Sequence, residues 1–256
     1  MNPLVKPIST PLSHEQSMRY ARHVMLPAVD FVGQERILAA RILIVGIGGL
    51  GCAVAPYLAS SGVGTLYLAD HDSIDESNLQ RQILFRESDV GANKAETAAI
   101  TLQQLNSSIQ IHAISQKITT SSMIDLLQHV DLVMDCSDNL ATRNLLNEAC
   151  FKAKKPLISG AAIRMEGQIS VFPMQPNTPC YQCYSHLIGE QQLSCMEAGV
   201  LAPVVGVIGT MQAVEALKII TGVGESLAGA LLLYDAANAS WQRLTLPKRS
   251  HCPVCG

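Results

Sequence analysis

The hydrophobic positions of this chain fall into short unbroken runs separated by longer amphipathic stretches. RILIV, Arg41–Val45, is an apolar run rich in β-branched residues, as expected of a strand buried on both faces. Thr65–Asp70, Ile109–Ile114, Asp131–Asp135 and Pro156–Ser159 repeat that signal. Between them the pattern turns helical at Cys52–Ser60, Lys94–Gln104 and Asn139–Lys152, with a short helix opened by a capping box of Ser122 and Asp125. Strands alternating with helices predict parallel βαβ units. Upstream, residues 1–12 carry three prolines and read as a loose tail, while Ser13–His23 and Asp30–Ala39 have helical character.

After Gly160 the texture changes. Gln168–Phe172, Leu231–Asp235 and Gln242–Leu246 read as strands without regular helical crossovers, and Gly209–Ile220 as one further helix. The expected fold is therefore α/β, with a Rossmann-like, mostly parallel sheet continued by antiparallel strands. One domain is expected over 1–256, with an N-terminal helical segment (1–40), a parallel βαβ half (41–160) and a second half (161–256).

Composition sharpens this picture. The chain is 48% hydrophobic and 15% charged, which predicts a sizeable core, and 4% aromatic, which makes that core aliphatic. A net charge of -3 points away from nucleic acid and from an anionic membrane as partners. The uncharged run Ile42–Ala69 is long enough to raise membrane insertion, but glycines and Pro56 interrupt it. Ala198–Val214 is uncharged too, yet Glu215 and Lys218 follow at once, so it reads as a buried segment leading into a helix. The N-terminal stretch lacks the apolar core of a signal peptide, and a cytoplasmic protein is expected.

Candidate chemistry begins at Gly46-Ile-Gly48-Gly49-Leu-Gly51, a G-x-G-x-x-G match between a strand and a helix. Glycines let the backbone approach a phosphate, and the helix N-terminus supplies free N–H groups and a positive dipole end. Asp70 ends the next strand, where an acidic residue holds ribose hydroxyls. NAD would be the default ligand of that pattern alone. The polar stretch after it departs from a dehydrogenase: it carries Asp72, Ser77, Asn78, Gln80 and Arg81, and Lys94 opens the following helix. An arginine and a lysine near a phosphate site suit a triphosphate better than a dinucleotide. Asp138 and Asn139, in DCSDN, end the fourth strand at the same sheet edge. Asp138 either holds Mg²⁺ against phosphates or caps the next helix, or does both.

Eight cysteines complete the inventory. Cys180/Cys183 and Cys252/Cys255 form two C-x-x-C pairs, which in a chain without a secretory signal favour a tetrahedral Zn²⁺ site over disulfides or redox dithiols. Cys52, Cys136 and Cys150 read as small core residues, and Cys195 sits in a glycine-bearing loop.

GIGGLG, SNLQRQ, VGANK, DCSDN, SGAAIRMEGQISVF, PCYQC, CMEAGV, PVVGVIGTMQAVEALK and CPVCG together resemble the E1-like adenylating family, from Arg19 to the C-terminus. The SGAAIRMEGQ block is most similar to the branch serving molybdopterin synthase, with the thiamin branch its near neighbour. The resemblance implies ATP-dependent adenylation of the Gly-Gly tail of a small ubiquitin-like sulfur-carrier protein by a homodimer; no rhodanese-like segment is visible in the sequence, so a separate sulfur donor is expected. It implies Asp70 on the ribose, Gly49 at the phosphates, Arg81 and Lys94 on the triphosphate, and Asp138 on Mg²⁺ and phosphates. Arg22 would reach the ATP of the other subunit, and the four paired cysteines would hold structural zinc in a carrier-binding half. Cys195 matches a cysteine that forms a covalent link to the carrier in the thiamin branch. An NAD-dependent oxidoreductase leaves Arg81, Lys94 and the cysteine pairs unexplained, and a non-catalytic carrier-binding scaffold would not need these charges.

Overall fold

The computed structural model describes residues 11–188 and 198–256. Three helices lead in: α1 (His14–Arg19), α2 (Ala21–Val24) and α3 (Asp30–Ala39). Then follow β1 (Arg41–Val45), α4 (Gly49–Ser60), β2 (Thr65–Ala69), α5 (Lys94–Leu105), β3 (Gln110–Ile114), α6 (Thr120–His129), β4 (Leu132–Asp135) and α7 (Leu140–Ala153). The rest is β5 (Leu157–Ile163), β6 (Glu166–Phe172), α8 (Tyr181–Ile188), α9 (Ala202–Thr221), β7 (Ala230–Asp235) and β8 (Ser240–Thr245).

All strands join one sheet of order β3-β2-β1-β4-β5-β6-β7-β8. Strands β3 through β5 pair in parallel, and β5 through β8 antiparallel. The chain leaves β1 toward β2 and returns on the other side as β4, so the order reverses between β1 and β4, where open sheets form their ligand crevice. Strand periodicity divides the core: Ile42 and Ile44 pack with α3, α4, α5 and α9, whereas Leu43 and Val45 face α6, α7 and α8. Each such buried Ile or Leu contributes roughly 1.5–3 kcal/mol.

The strands stand close to where the hydrophobic pattern put them; the helix ends moved for identifiable reasons. α4 opens at Gly49 rather than Cys52, because the second half of the glycine loop already turns as helix behind the extended Gly48. α6 is capped by Thr119, whose hydroxyl accepts the Ser122 N–H, so Ser122 completes the box instead of starting it. β5 runs on to Ile163 because β6 pairs with it along its whole length. α9 begins at Ala202, with a proline in its first turn, and the short helix α8 had no counterpart in the pattern. The expected helix Ser13–His23 is divided at Tyr20, which turns into the interior; its ring lies 2.5 Å from where a Cβ on Gly62 would stand.

α9 is the one helix among the described residues long and apolar enough to cross a membrane by length and composition. It packs on α4, β5, β6 and α3. At the closest approach, a Cβ on Gly209 would stand 2.6 Å from the Leu50 carbonyl oxygen of α4.

Candidate active site

A cleft of about 1110 Å³ lies at the carboxyl ends of β1, β2 and β4 and continues over β6, β7 and β8. The glycine loop forms its floor. Gly46 has φ +90°, and a Cβ there would stand 2.7 Å from the Cys136 carbonyl oxygen, so only glycine lets the loop after β1 pass this close to the loop after β4. A Cβ on Gly51 would meet the Gly46 oxygen at 2.1 Å. Gly51 thus serves helix-against-strand packing and does not line the cleft, whereas Gly46, Gly48 and Gly49 do. α4 has no side-chain cap, which leaves its first N–H groups to a ligand.

One wall is built from the loop after β2. The Asp70 carboxylate accepts N–H bonds from Ile47 (2.7 Å) and Asp72 (2.9 Å), tying the end of β2 to the glycine loop. Burial pushes the Asp70 pKa up, while those two N–H groups and Lys94 pull it back. Lys94 is only 7% exposed, and its Nζ lies 3.1 Å from the half-exposed Asp72 carboxylate. Asn93 caps α5 and donates from Nδ2 to the Asp70 and Asp72 carbonyls, 3.2 Å each, and so anchors this wall. Arg81 donates to the Ser77 carbonyl at 3.1 Å and lines the cleft with Asn78. Ser77 and Gln80 do not: Ser77 is turned to Asp75, and Gln80 is exposed. Arg22 lies outside the cleft, exposed on α2, with its Nη1 3.8 Å from the Met25 sulfur.

The loop after β4 forms the opposite wall. Asp135 is wholly buried and accepts from the Ser137 N–H (3.1 Å), the Ser137 hydroxyl (2.6 Å) and the Ser159 hydroxyl (2.7 Å). Asp138 and Asn139 reach the cleft, but it is Asn139 that caps α7, accepting the Thr142 N–H at 2.9 Å. Of the two roles open to Asp138, capping therefore belongs to its neighbour, and its exposed carboxylate is an oxygen donor suited to a hard cation beside phosphates.

Several cleft residues carry no local sequence signal. Arg143, 5% exposed, donates to the Ser137 and Gly160 carbonyls at 2.8 and 3.2 Å. Gln82 is 3% exposed, and its Oε1 has no protein partner. Farther along, the Tyr184 hydroxyl donates to Gln168 Oε1 at 2.6 Å, with burial holding the phenol near 12. Arg164, Tyr234 and Gln242 extend this polar end.

The two cysteine pairs converge toward the other end of α7, where Cys180 packs beside Asn147. Cys180 and Cys252 sulfurs lie 3.7 Å apart, Cys183 and Cys255 3.5 Å, and all four within 4.8 Å of one another. A tetrahedral zinc with Zn–S bonds of about 2.3 Å requires S···S edges of about 3.8 Å, so this donor set fits Zn²⁺. Cys52, Cys136 and Cys150 are buried, and burial raises each thiol, Cys52 to about 12, as befits inert core residues. Cys195 lies outside the described residues.

A glycine loop under a helix terminus, facing a lysine–arginine pair, is the arrangement of a nucleotide-binding α/β fold, and a cleft running on past it leaves room for a second reactant. The chain belongs to the ThiF family, whose model matches residues 20–254. It is 48% identical over 245 residues to the molybdopterin-synthase adenylyltransferase of Escherichia coli K12, covering 96% of this chain and 98% of that protein. It is 44% identical over 239 residues to the sulfur carrier protein ThiS adenylyltransferase of the same organism, covering 93% and 95%. Among solved structures, E. coli MccB with ATP superposes with TM-score 0.79 at 27% identity, over 93% of this chain and 73% of that one.

Proposed function

We propose that this chain adenylates the C-terminal Gly-Gly carboxylate of a small ubiquitin-like sulfur-carrier protein, as the molybdopterin-synthase adenylyltransferases do. The carrying observation is the buried Lys94 lining one cleft with the glycine loop, in a chain 48% identical to the E. coli enzyme along 98% of its length. A carboxylate oxygen of the carrier attacks the α-phosphorus of ATP. The bond to the bridging oxygen breaks, and pyrophosphate leaves with the electron pair. The attacking carboxylate is already ionised at neutral pH, so no general base is needed, and catalysis rests on positioning and charge neutralisation.

In this reading Asp70 accepts the ribose hydroxyls, and Gly48, Gly49 and the start of α4 face the phosphates. Asn78, Arg81 and Lys94 neutralise the triphosphate, helped by Arg22 reaching over from the second subunit of a homodimer. Asp138 would hold Mg²⁺, which screens the phosphates and eases departure of pyrophosphate. The carrier tail would enter along the end lined by Gln168 and Tyr184. The Cys₄ cluster would hold structural zinc. Sulfur would come from a separate donor, and free thiols of this kind fit the cytoplasm.

ATP–pyrophosphate exchange with a panel of purified Gly-Gly-tailed carriers tests the proposal. Exchange should require Mg²⁺ and one carrier, the molybdopterin-synthase type; preference for the thiamin-type carrier would move the chain to the other branch. Exchange that ran with a free amino acid and no carrier would refute the reading. Binding of NAD in preference to ATP would do the same.

A further inference from the structure

Helix α7 touches both the nucleotide cleft and the cysteine cluster, two sites that no short segment of sequence connects. Asn139, Arg143 and Asn147 recur every four residues and share one helix face. At the cleft end, Asn139 caps the helix, and Arg143 braces the loop after β4 through the Ser137 and Gly160 carbonyls. The Arg143 guanidinium also stands 6.0 Å from the centroid of the Tyr181 ring. At the other end, Asn147 is 0% exposed. Its Oδ1 accepts the Tyr181 N–H at 2.9 Å; a backbone N–H only donates, so this bond sets the orientation of the amide. Nδ2 then faces the Cys180 sulfur at 3.6 Å. A metal bound by four thiolates retains excess negative charge, which a donated N–H offsets, and such outer partners fix the direction of a ligand.

We propose that Asn147 is a positioning residue that joins the Cys₄ cluster to the nucleotide loop, so that zinc and ATP strengthen each other's binding across α7. Asn147 orients the Cys180 thiolate and pins the start of α8. The helix carries that constraint about 12 Å, at 1.5 Å per residue, to the turn where Arg143 and Asn139 hold Ser137 and its neighbours. With the metal gone, Cys180 and Tyr181 lose their fixed position, α7 loses the anchor at Asn147 and the neighbouring ring at Arg143, and the loop that faces the nucleotide loosens. Binding linkage is reciprocal, so the same factor must appear whichever ligand is varied.

The nucleotide half of this inference rests on the function proposed above, and the test separates the two. Zinc transfer from the full-length protein to a chromophoric chelator is followed with and without a non-hydrolysable ATP analogue at saturating Mg²⁺. Analogue binding is measured independently by equilibrium dialysis, and metal taken by the nucleotide itself is subtracted. In the wild type the analogue should tighten zinc binding about fivefold or more, the scale of ordinary coupling between sites. Asn147→Ala should weaken zinc about 10- to 100-fold, as loss of a ligand-orienting partner does, and abolish the nucleotide effect. Asn147→Asp keeps the acceptor for the Tyr181 N–H and removes the donor to sulfur. With cobalt in place of zinc, it should hold α8 yet shift the thiolate-to-metal charge-transfer band. Unchanged zinc affinity in wild type with the analogue demonstrably bound overturns the coupling and leaves the adenylation reading intact. No analogue binding at all overturns the adenylation reading itself. Should neither variant fold, the wild-type linkage still decides.

Discussion

From β3 to β5 the strands run parallel, so their carboxyl ends gather at one edge, and the segments after β1, β2 and β4 deliver Gly48 and Gly49, Asp70, Arg81 and Lys94, and Asp138 and Asn139 into one cleft. From β5 to β8 the strands alternate in direction, and no edge collects their loops. There the cleft residues stand within strands or on α8, as Gln168, Tyr234 and Tyr184 do, and β8 is largely exposed. What draws this half together is a cluster joining Cys180 to Cys252 and Cys183 to Cys255, each pair 72 residues apart. The first half positions chemistry by topology. The second brings together four thiols that a metal could staple, so the two should fail in different ways.

Lys94→Ala should give the largest loss. It removes a desolvated cation from the cleft, and loss of one such stabilising group costs about 10²–10³ in rate. The fold should survive, because Asn93 still caps α5 and alanine is a good helix former. Exchange within a few-fold of wild type would place the triphosphate elsewhere.

Asp138→Asn should cost about a hundredfold, if its charge serves a metal on phosphates, and leave α7 capped by Asn139. The same variant probes the second subunit. Arg22→Ala and Asp138→Asn homodimers should both be weak. Mixed and allowed to exchange subunits, they should regain about a quarter of wild-type activity, since half the dimers are mixed and each mixed dimer holds one intact site. Heterodimers seen by mass spectrometry with no recovery of exchange would show that Arg22 does not act across the interface.

Removing zinc attacks the staple instead. Chelation, or Cys180→Ser, should lower the melting midpoint by about 10 °C, the effect of a few kcal/mol in a chain of this size. Exchange at 25 °C should stay within about tenfold at saturating ATP, because the coupling across α7 weakens nucleotide binding only severalfold and leaves the cleft residues themselves in place. A melting curve indifferent to chelator would remove zinc from the account.

The same contrast explains what could be read from sequence. β1 and β4 are buried on both faces, so their runs are continuously apolar and stand out. Gly46, Asp70, Lys94 and Asp138 sit within a residue or two of element ends, where the chemistry a loop needs is written locally. Arg143 and Asn147 lie in mid-helix, interleaved with leucines and alanines, and only tertiary packing turns them inward. Gln82 looked like one more loop residue and is buried with an orphaned oxygen. Gly49 belongs to a glycine-rich stretch that reads as a turn, yet it opens α4. α8 is too short to show a helical period before its cysteines tie it down.

Asp70 offers the smallest effect and the finest test of the parallel half. Burial raises its carboxyl pKa, with the Asp72 and Ile47 N–H groups and Lys94 opposing. A carboxyl whose folded pKa lies above its unfolded value holds its proton more tightly in the folded chain. By itself it stabilises the fold below the unfolded pKa, and that contribution is lost as pH rises through the folded one. Nucleotide binding has the opposite sign, because ribose hydroxyls need the ionised acceptor. ATP affinity should therefore fall as pH drops through the raised value, by at most about tenfold per pH unit, and begin to fall at a higher pH than for an ordinary aspartate. ATP titrates as well, so the informative quantity is the difference between wild type and Asp70→Asn, in which the ligand's own protons cancel. Asp70→Asn should bind ATP severalfold more weakly at neutral pH and lack this inflection. Two pH profiles that superimpose after scaling would mean that the Asp70 carboxylate holds only Ile47 and Asp72 and never meets the ribose.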